Sequence, residues 1–215
     1  MKGPFLYAII DRGQCEARGI TTVEGLVALT EEVIAGGASV VQLRDEVSTA
    51  VEIFEAAREL SEVCRGRDVK FVVNDRLDIA LATGADGVHL GPEDLPIRQA
   101  RQVAGEGLLI GASAGTVEAA RQAVKDGADY LGVGAIFGGK ASKPDASAPR
   151  GVEILREVRA AVEVPLVAIG GVDESNAAAA IGAGADGVAV IRGLLRSGKP
   201  AAAARGLCRA IGSLS

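Results

Sequence analysis

Two carboxylates mark the stretch from Asn74 to Asp94, NDRLDIALATGADGVHLGPED: Asp75 follows the apolar run FVV with only Asn74 between, and Asp94 comes shortly after GVHL. Acidic side chains at the ends of neighbouring strands can share one ion. Hard oxygen donors of this kind suit Mg²⁺, which keeps several waters and takes further oxygens from substrate phosphates. Either Asp alone could equally cap the helix that follows it; the pair, with Asn74 beside it, favours a metal. Upstream, VVQLRDE sets Gln42 and Arg44 on one face of a strand and Leu43 on the other. Arg44 suits a bidentate grip on phosphate, or a salt bridge at a rim. Downstream, Gly170-Gly171 in VAIGGV and Gly193 in VIRGLL would let the backbone approach an anion closely. The segment GGKASKPDASAPRG, Gly138 to Gly151, is long for a connection and offers Lys140 or Lys143 to close over a phosphate. His89 is the only histidine. Without a histidine or cysteine partner for zinc it reads as a buried, hydrogen-bonded structural residue, and the nucleophile motifs of acyl transfer are absent.

These residues are far apart along the chain, so the fold must gather them. Four stretches repeat one pattern: GGASVVQL from Gly36, GADGVHL from Gly84, GADYLGVG from Gly127 and GADGVAV from Gly184. Each follows an Ala/Leu-rich segment of helical spacing, and the glycine supplies a left-handed stop before the next strand. FLYAIID, KFVVND, LLIGAS and PLVAIGG bring the expected strands to eight. Helical patterns fall around residues 22–35, 48–64, 76–83, 96–104, 116–126, 151–161, 174–182 and 200–211. Strands that read as continuous apolar runs are buried on both faces and parallel. Eight βα units over residues 1–215 therefore predict one domain, a (β/α)8 TIM barrel, with an open doubly wound sheet as the competing fold. In such a barrel every strand-end residue named above, with Asp11, Ser113 and Arg192, faces one mouth.

A chain of 215 residues, 48% apolar, is long enough for one large core. Its formal net charge of -5 excludes a general binder of nucleic acid or anionic membrane. The apolar run at the N-terminus is too short for a signal peptide or a membrane span. Cys15, Cys64 and Cys208 have no metal-ligand spacing and read as reduced, buried thiols. The expectation is a cytoplasmic enzyme on phosphorylated small molecules with Mg²⁺, with a homo-oligomer left open.

Taken in order, VVQLR, NDRLDIALATGADGVHLGPEDLP, IGAS, DYLGVGAIF and VAIGGV with AGADGVAV span nearly the whole chain and resemble the thiamine phosphate synthase family. The wider superfamily also holds thiazole tautomerases. The resemblance implies a transferase that joins a pyrimidine methyl diphosphate to a thiazole phosphate, giving thiamine phosphate and pyrophosphate. Pyrophosphate leaves first and the thiazole nitrogen captures the pyrimidine-methyl cation. By position, Asp75 and Asp94 correspond to Mg²⁺ ligands. Gln42, Arg44 and Asn74 correspond to contacts with the pyrimidine diphosphate, and Ser113 to a phosphate contact. Gly171 matches the thiazole-phosphate cradle, and Lys143 matches a lid lysine that acts with Arg44 on the leaving group. Three positions depart from the family pattern: Glu46 stands where Lys is usual, GGKASK replaces the Pro-Thr-x-Thr-Lys after Phe137, and Arg192 replaces a Ser and could bind phosphate itself. The alternatives are a tautomerase-like isomerase and a non-catalytic ligand-binding paralogue.

Overall fold

The apolar runs expected as strands pair in sequence order, each parallel to the next, and the last returns to the first. The computed structural model describes residues 3–138, 149–196 and 198–213. Its strands are β1 (Phe5–Asp11), β2 (Ala38–Arg44), β3 (Lys70–Asn74), β4 (Gly87–Leu90), β5 (Leu109–Ala114), β6 (Tyr130–Val133), β7 (Leu166–Ile169) and β8 (Gly187–Val190). They close into a (β/α)8 barrel, which removes the open-sheet alternative.

All eight expected helices form: α2 (Val23–Ala35), α3 (Ala50–Arg65), α4 (Leu77–Thr83), α5 (Ile97–Ala104), α6 (Val117–Lys125), α7 (Glu153–Ala161), α8 (Ala177–Gly182) and α10 (Pro200–Ala210). Two short ones were not anticipated, α1 (Arg12–Glu16) directly after β1 and α9 (Arg192–Leu195) directly after β8. Local chemistry starts several of them. Thr22, Thr49 and Thr116 each accept an amide hydrogen bond at a helix N-terminus, and Thr49 with Glu52 completes a capping box. Ile53, Ala56, Ala57, Leu60 and Cys64 then line the buried face of α3 at helical spacing.

Strand alternation divides the interior in two. Leu6, Ala8 and Ile10 of β1 pack outward under the helices. Phe5, Tyr7 and Ile9 point into the barrel, where they meet Val40, Val72, Tyr130, Val167 and Ala189. Glycines make room for the larger of these. A methyl group added at Gly111 would lie 2.1 Å from the Tyr130 ring, and one at Gly187 would lie 2.5 Å from the Phe5 ring. Gly111→Ala is therefore expected to cost about 1–3 kcal/mol through overpacking, read as a lower midpoint in urea or heat unfolding.

The repeated GAD motif locks strands together at the barrel's N-terminal end. The Asp86 carboxylate accepts from Phe71 N at 2.9 Å, Asp129 from Ile110 N at 2.7 Å and Asp186 from Leu166 N at 2.8 Å. Each of these residues also donates its own amide to a carbonyl on the same strand, Phe71, Ile110 and Leu166 in turn. Strands 4, 6 and 8 are thus each clamped to the strand before. The β1–β2 pair has Ser39 at the equivalent position, and a register shift falls there between Leu6 and Tyr7. Removing one clamp strands a backbone donor, so Asp129→Ala is expected to lose about 1–3 kcal/mol of stability with ligand binding unchanged. Urea titration beside a binding isotherm reads both.

The glycine stops behave as expected at Gly84, whose φ is +63°, and at Gly127 and Gly184, with φ of +104° and +103°. In the first repeat the positive φ falls on Gly37 instead. Gly36 makes room for α10, since a Cβ there would sit 2.5 Å from that of Ala204. All three cysteines are buried, as expected. Burial pushes the Cys15 thiol up to about 11 and the Cys64 thiol up to about 12, so neither offers a thiolate. Among the described residues no helix is long and apolar enough to cross a membrane.

Candidate active site

A cavity of about 670 Å³ opens at the C-terminal ends of the strands. Its wall includes Gln42, Arg44, Asn74, Ser113, Gly171 and Arg192, six of the residues singled out from the sequence. They converge because each ends a barrel strand or begins the loop after one.

Arg44 is held before any ligand arrives. Asp11, 5% exposed, takes Arg44 Nη1 at 2.5 Å through one carboxylate oxygen and the Gln14 amide at 2.9 Å through the other. One buried acid therefore caps α1 and fixes the guanidinium. Glu46 takes Arg44 Nη2 from the solvent side. The negative charge at position 46 is thereby paired locally.

The floor carries a hydrogen-bonded chain across five strands. Gln42 Nε2 donates to Tyr7 Oη at 2.9 Å, and Tyr7 Oη lies 2.9 Å from Tyr130 Oη. Tyr130 Oη lies 3.2 Å from His89 Nδ1, and His89 Nε2 lies 3.0 Å from Ser113 Oγ. Burial raises both phenols well above their ordinary range, so both stay protonated. His89 has the hydrogen bonds expected of it, yet its ring also lines the cavity. Gly132 gives it room, since a Cβ there would lie 3.1 Å from His89 Cε1.

On the opposite arc, Gly170 and Gly171 hold φ of +96° and +71°. A Cβ on Gly170 would meet Ala135 Cα at 2.7 Å, and one on Gly171 would meet the Phe137 carbonyl carbon at 2.9 Å. Only glycine fits this turn. Asn176 Nδ2 donates to Gly171 O at 2.9 Å, holding it in place. Arg192 and Arg196 add two cations to this side of the wall. The Ser175 hydroxyl, and more weakly Arg196, keep Asp173 below the usual carboxylate range.

Asp75 follows the wall residue Asn74 in the chain, and Asp94 comes two residues after the wall residue Pro92, but neither is itself among the lining residues. The N-cap position of α4 is Arg76, and that of α5 is Pro96. Neither position carries a side-chain cap, and neither is an Asp. Asp75 holds a left-handed φ of +62° and donates its amide to His89 O at 2.8 Å, tying the ends of β3 and β4 together. Asp94 Oδ2 accepts from Gly91 N at 2.6 Å. Its second oxygen accepts no hydrogen bond from the described residues. Among the described residues no cluster of three metal-ligating side chains forms. Two carboxylates at adjacent strand ends fit an ion that fills its shell with water and substrate oxygen, and fit less well an ion that needs a closed protein cage.

Lys140 and Lys143 lie outside the described residues. The chain on either side meets at the mouth: Arg150 N donates to Ala135 O at 2.9 Å and Gly151 N to Ile136 O at 3.0 Å. Tyr7, Tyr130 and Arg196 were not anticipated as site residues, and Asp11 was expected at the mouth but not as the partner that holds Arg44. The signal for the first was present, since Tyr7 shares a strand face with Asp11 at alternate positions.

A closed βα barrel whose strand ends gather arginines and a diglycine turn around one cavity belongs to the phosphate-handling barrel enzymes. The comparisons narrow this class. The family model described as thiamine monophosphate synthase matches residues 6–194. The thiamine-phosphate synthase of Moorella thermoacetica is 52% identical over 179 residues, 83% of this chain and 85% of that protein. That of Methanocella arvoryzae is 47% identical over 202 residues, 94% of this chain and 92% of that protein. The solved structure of thiamine phosphate pyrophosphorylase from Pyrococcus furiosus superposes with a TM-score of 0.85 at 36% identity, covering 97% of this chain and 96% of that one. The chain belongs to the thiamine monophosphate synthase family.

Proposed function

We propose that the protein joins a pyrimidine methyl diphosphate to a thiazole phosphate, releasing pyrophosphate and forming thiamine phosphate. One observation carries this reading beyond family membership: a single cavity has anion-binding groups on two opposite arcs. Arg44, Asn74 and Ser113 from strands 2, 3 and 5 form one set, and Gly171, Arg192 and Arg196 after strands 7 and 8 form the other. Two phosphorylated reactants can each be anchored on one arc with their rings meeting over the floor of Tyr7, Tyr130 and Ile9.

The diphosphate departs from the Arg44 side. The guanidinium, already aimed by Asp11, stabilises charge on the leaving oxygens without reorganising. Gln42, 3% exposed, spends its amide N–H on Tyr7 and keeps its carbonyl oxygen for the aminopyrimidine. The positive-φ turn at Gly170-Gly171 lets the backbone come close to the thiazole phosphate, and Arg192 faces the same anion. Asp75 and Asp94 would hold Mg²⁺, which when bound neutralises diphosphate charge and favours its loss as pyrophosphate. The thiazole nitrogen supplies the electron pair for the new C–N bond, so no protein nucleophile is consumed. Lys143 is assigned to the departing pyrophosphate by resemblance, and Lys140 is its alternative.

Mixing both phosphorylated precursors with Mg²⁺ and following pyrophosphate with thiamine phosphate tests this. Equal amounts of the two products, abolished by chelator and restored by Mg²⁺, are expected. Isomerisation of a carboxythiazole phosphate without metal would reassign the site to a tautomerase, and binding without either reaction would make it a paralogue that only binds.

A further inference from the structure

The polar chain across the cavity floor has a direction. Tyr7 Oη accepts from Gln42 Nε2 and has one proton of its own to place, and its remaining described partner is Tyr130 Oη at 2.9 Å. Tyr130, taking that bond, passes its own proton towards His89 Nδ1 at 3.2 Å. A ring nitrogen that accepts must be bare, so the proton of the neutral imidazole sits on Nε2. Nε2 faces Ser113 Oγ at 3.0 Å and donates to it. The opposite direction would aim two donors at the Tyr7 oxygen and leave the Tyr7 proton without an acceptor, at a residue only 2% exposed. Buried donors are seldom left so. The space for the chain is built in, because Gly111 and Gly132 withhold the side chains that would displace Tyr130 and His89.

We infer that Tyr130 is a positioning residue: it transmits the polarity set by Gln42 to His89, fixes the Nε2–H tautomer, and so leaves the Ser113 hydroxyl proton free to point at an anionic oxygen of the ligand. The inference rests on the proposed role of Ser113 as a phosphate contact for its catalytic consequence. The tautomer itself stands apart from any reaction.

His89 is the only histidine in the chain, so protein grown on ¹⁵N-labelled histidine reports this residue alone. At pH 8, without ligand, the expected spectrum has a protonated Nε2 and a bare Nδ1. Tyr130→Phe, which removes the donor to Nδ1, is expected to shift the signals towards the other tautomer, and Tyr7→Phe, which cuts Tyr130 off from Gln42, is expected to shift them in the same direction. A wild-type spectrum with protonated Nδ1, or one indifferent to Tyr130→Phe, overturns the inference. In turnover assays Tyr130→Phe alone is expected to lower kcat/KM about five- to tenfold, and less than about twofold when added to Ser113→Ala, since residues acting through one another are not additive. Fully additive losses would mean that Tyr130 does not act through Ser113, and would overturn the inference. The expected tautomer in a protein that turns over neither precursor would remove the synthase reading and leave the polarity of the chain standing.

Discussion

Asp75→Asn is expected to lower kcat/KM by about 10²–10³ and to raise the Mg²⁺ concentration needed for half-maximal rate. Losing one preorganised electrostatic group costs about 3–4 kcal/mol in the transition state, and about 1.4 kcal/mol is a factor of ten. Asn is the informative replacement. Position 75 has a φ of +62°, a conformation that Asn tolerates and Ala does not, and its amide must still reach His89 O at 2.8 Å. The substitution therefore removes charge and leaves the β3–β4 tie intact, so unfolding should change by less than about 1 kcal/mol. A variant within threefold of the parent, with the same Mg²⁺ titration, would take Asp75 out of the metal site. The two outcomes are well separated because Asp94 has one oxygen already committed to the Gly91 amide and cannot readily substitute for its neighbour.

The architecture was legible because it repeats. A glycine stop, a small residue and an apolar run recur at each of four strands, and their order leaves few topologies. The same repeat hid its own reason. Asp86, Asp129 and Asp186 accept amides from the preceding strand, 15 to 20 residues away in sequence, which the repeat alone does not show. The two missed helices have four and five residues, too few for a helical period to show. At the site, the residues that end strands were found, since barrel closure alone puts Gln42, Arg44, Asn74 and Ser113 at one mouth. What stayed hidden depends on contacts across the barrel. The Tyr7–Tyr130 hydrogen bond joins residues 123 positions apart, and the Asp11–Arg44 pair joins residues 33 apart. No local pattern encodes either. Residues 139–148, where Lys140 and Lys143 fall, contribute only their resemblance.

Arg44→Ala is expected to reduce kcat/KM by about 10²–10³, mostly through a higher KM for the pyrimidine diphosphate. Truncating one partner of a hydrogen-bonded charge pair costs about 2–5 kcal/mol. Here two effects add. The phosphate ligand disappears, and the carboxylates of Asp11 and Glu46, which it had neutralised, are left facing an incoming polyanion. Asp11 is 5% exposed, so its unpaired charge should also lower the unfolding midpoint. Glu46 separates the contributions. Its side chain is 52% exposed and competes with the substrate for the same guanidinium, so Glu46→Gln is expected to lower KM by up to about fivefold, matching the ~0.2–1 kcal/mol of an exposed pair. That gain should shrink as salt rises. In the Arg44→Ala background Glu46→Gln should recover part of the lost affinity by removing repulsion alone. A higher KM in Glu46→Gln would reverse its role: Glu46 would then be aiming Arg44 at the diphosphate, and the reversed charge beside the site would assist binding there.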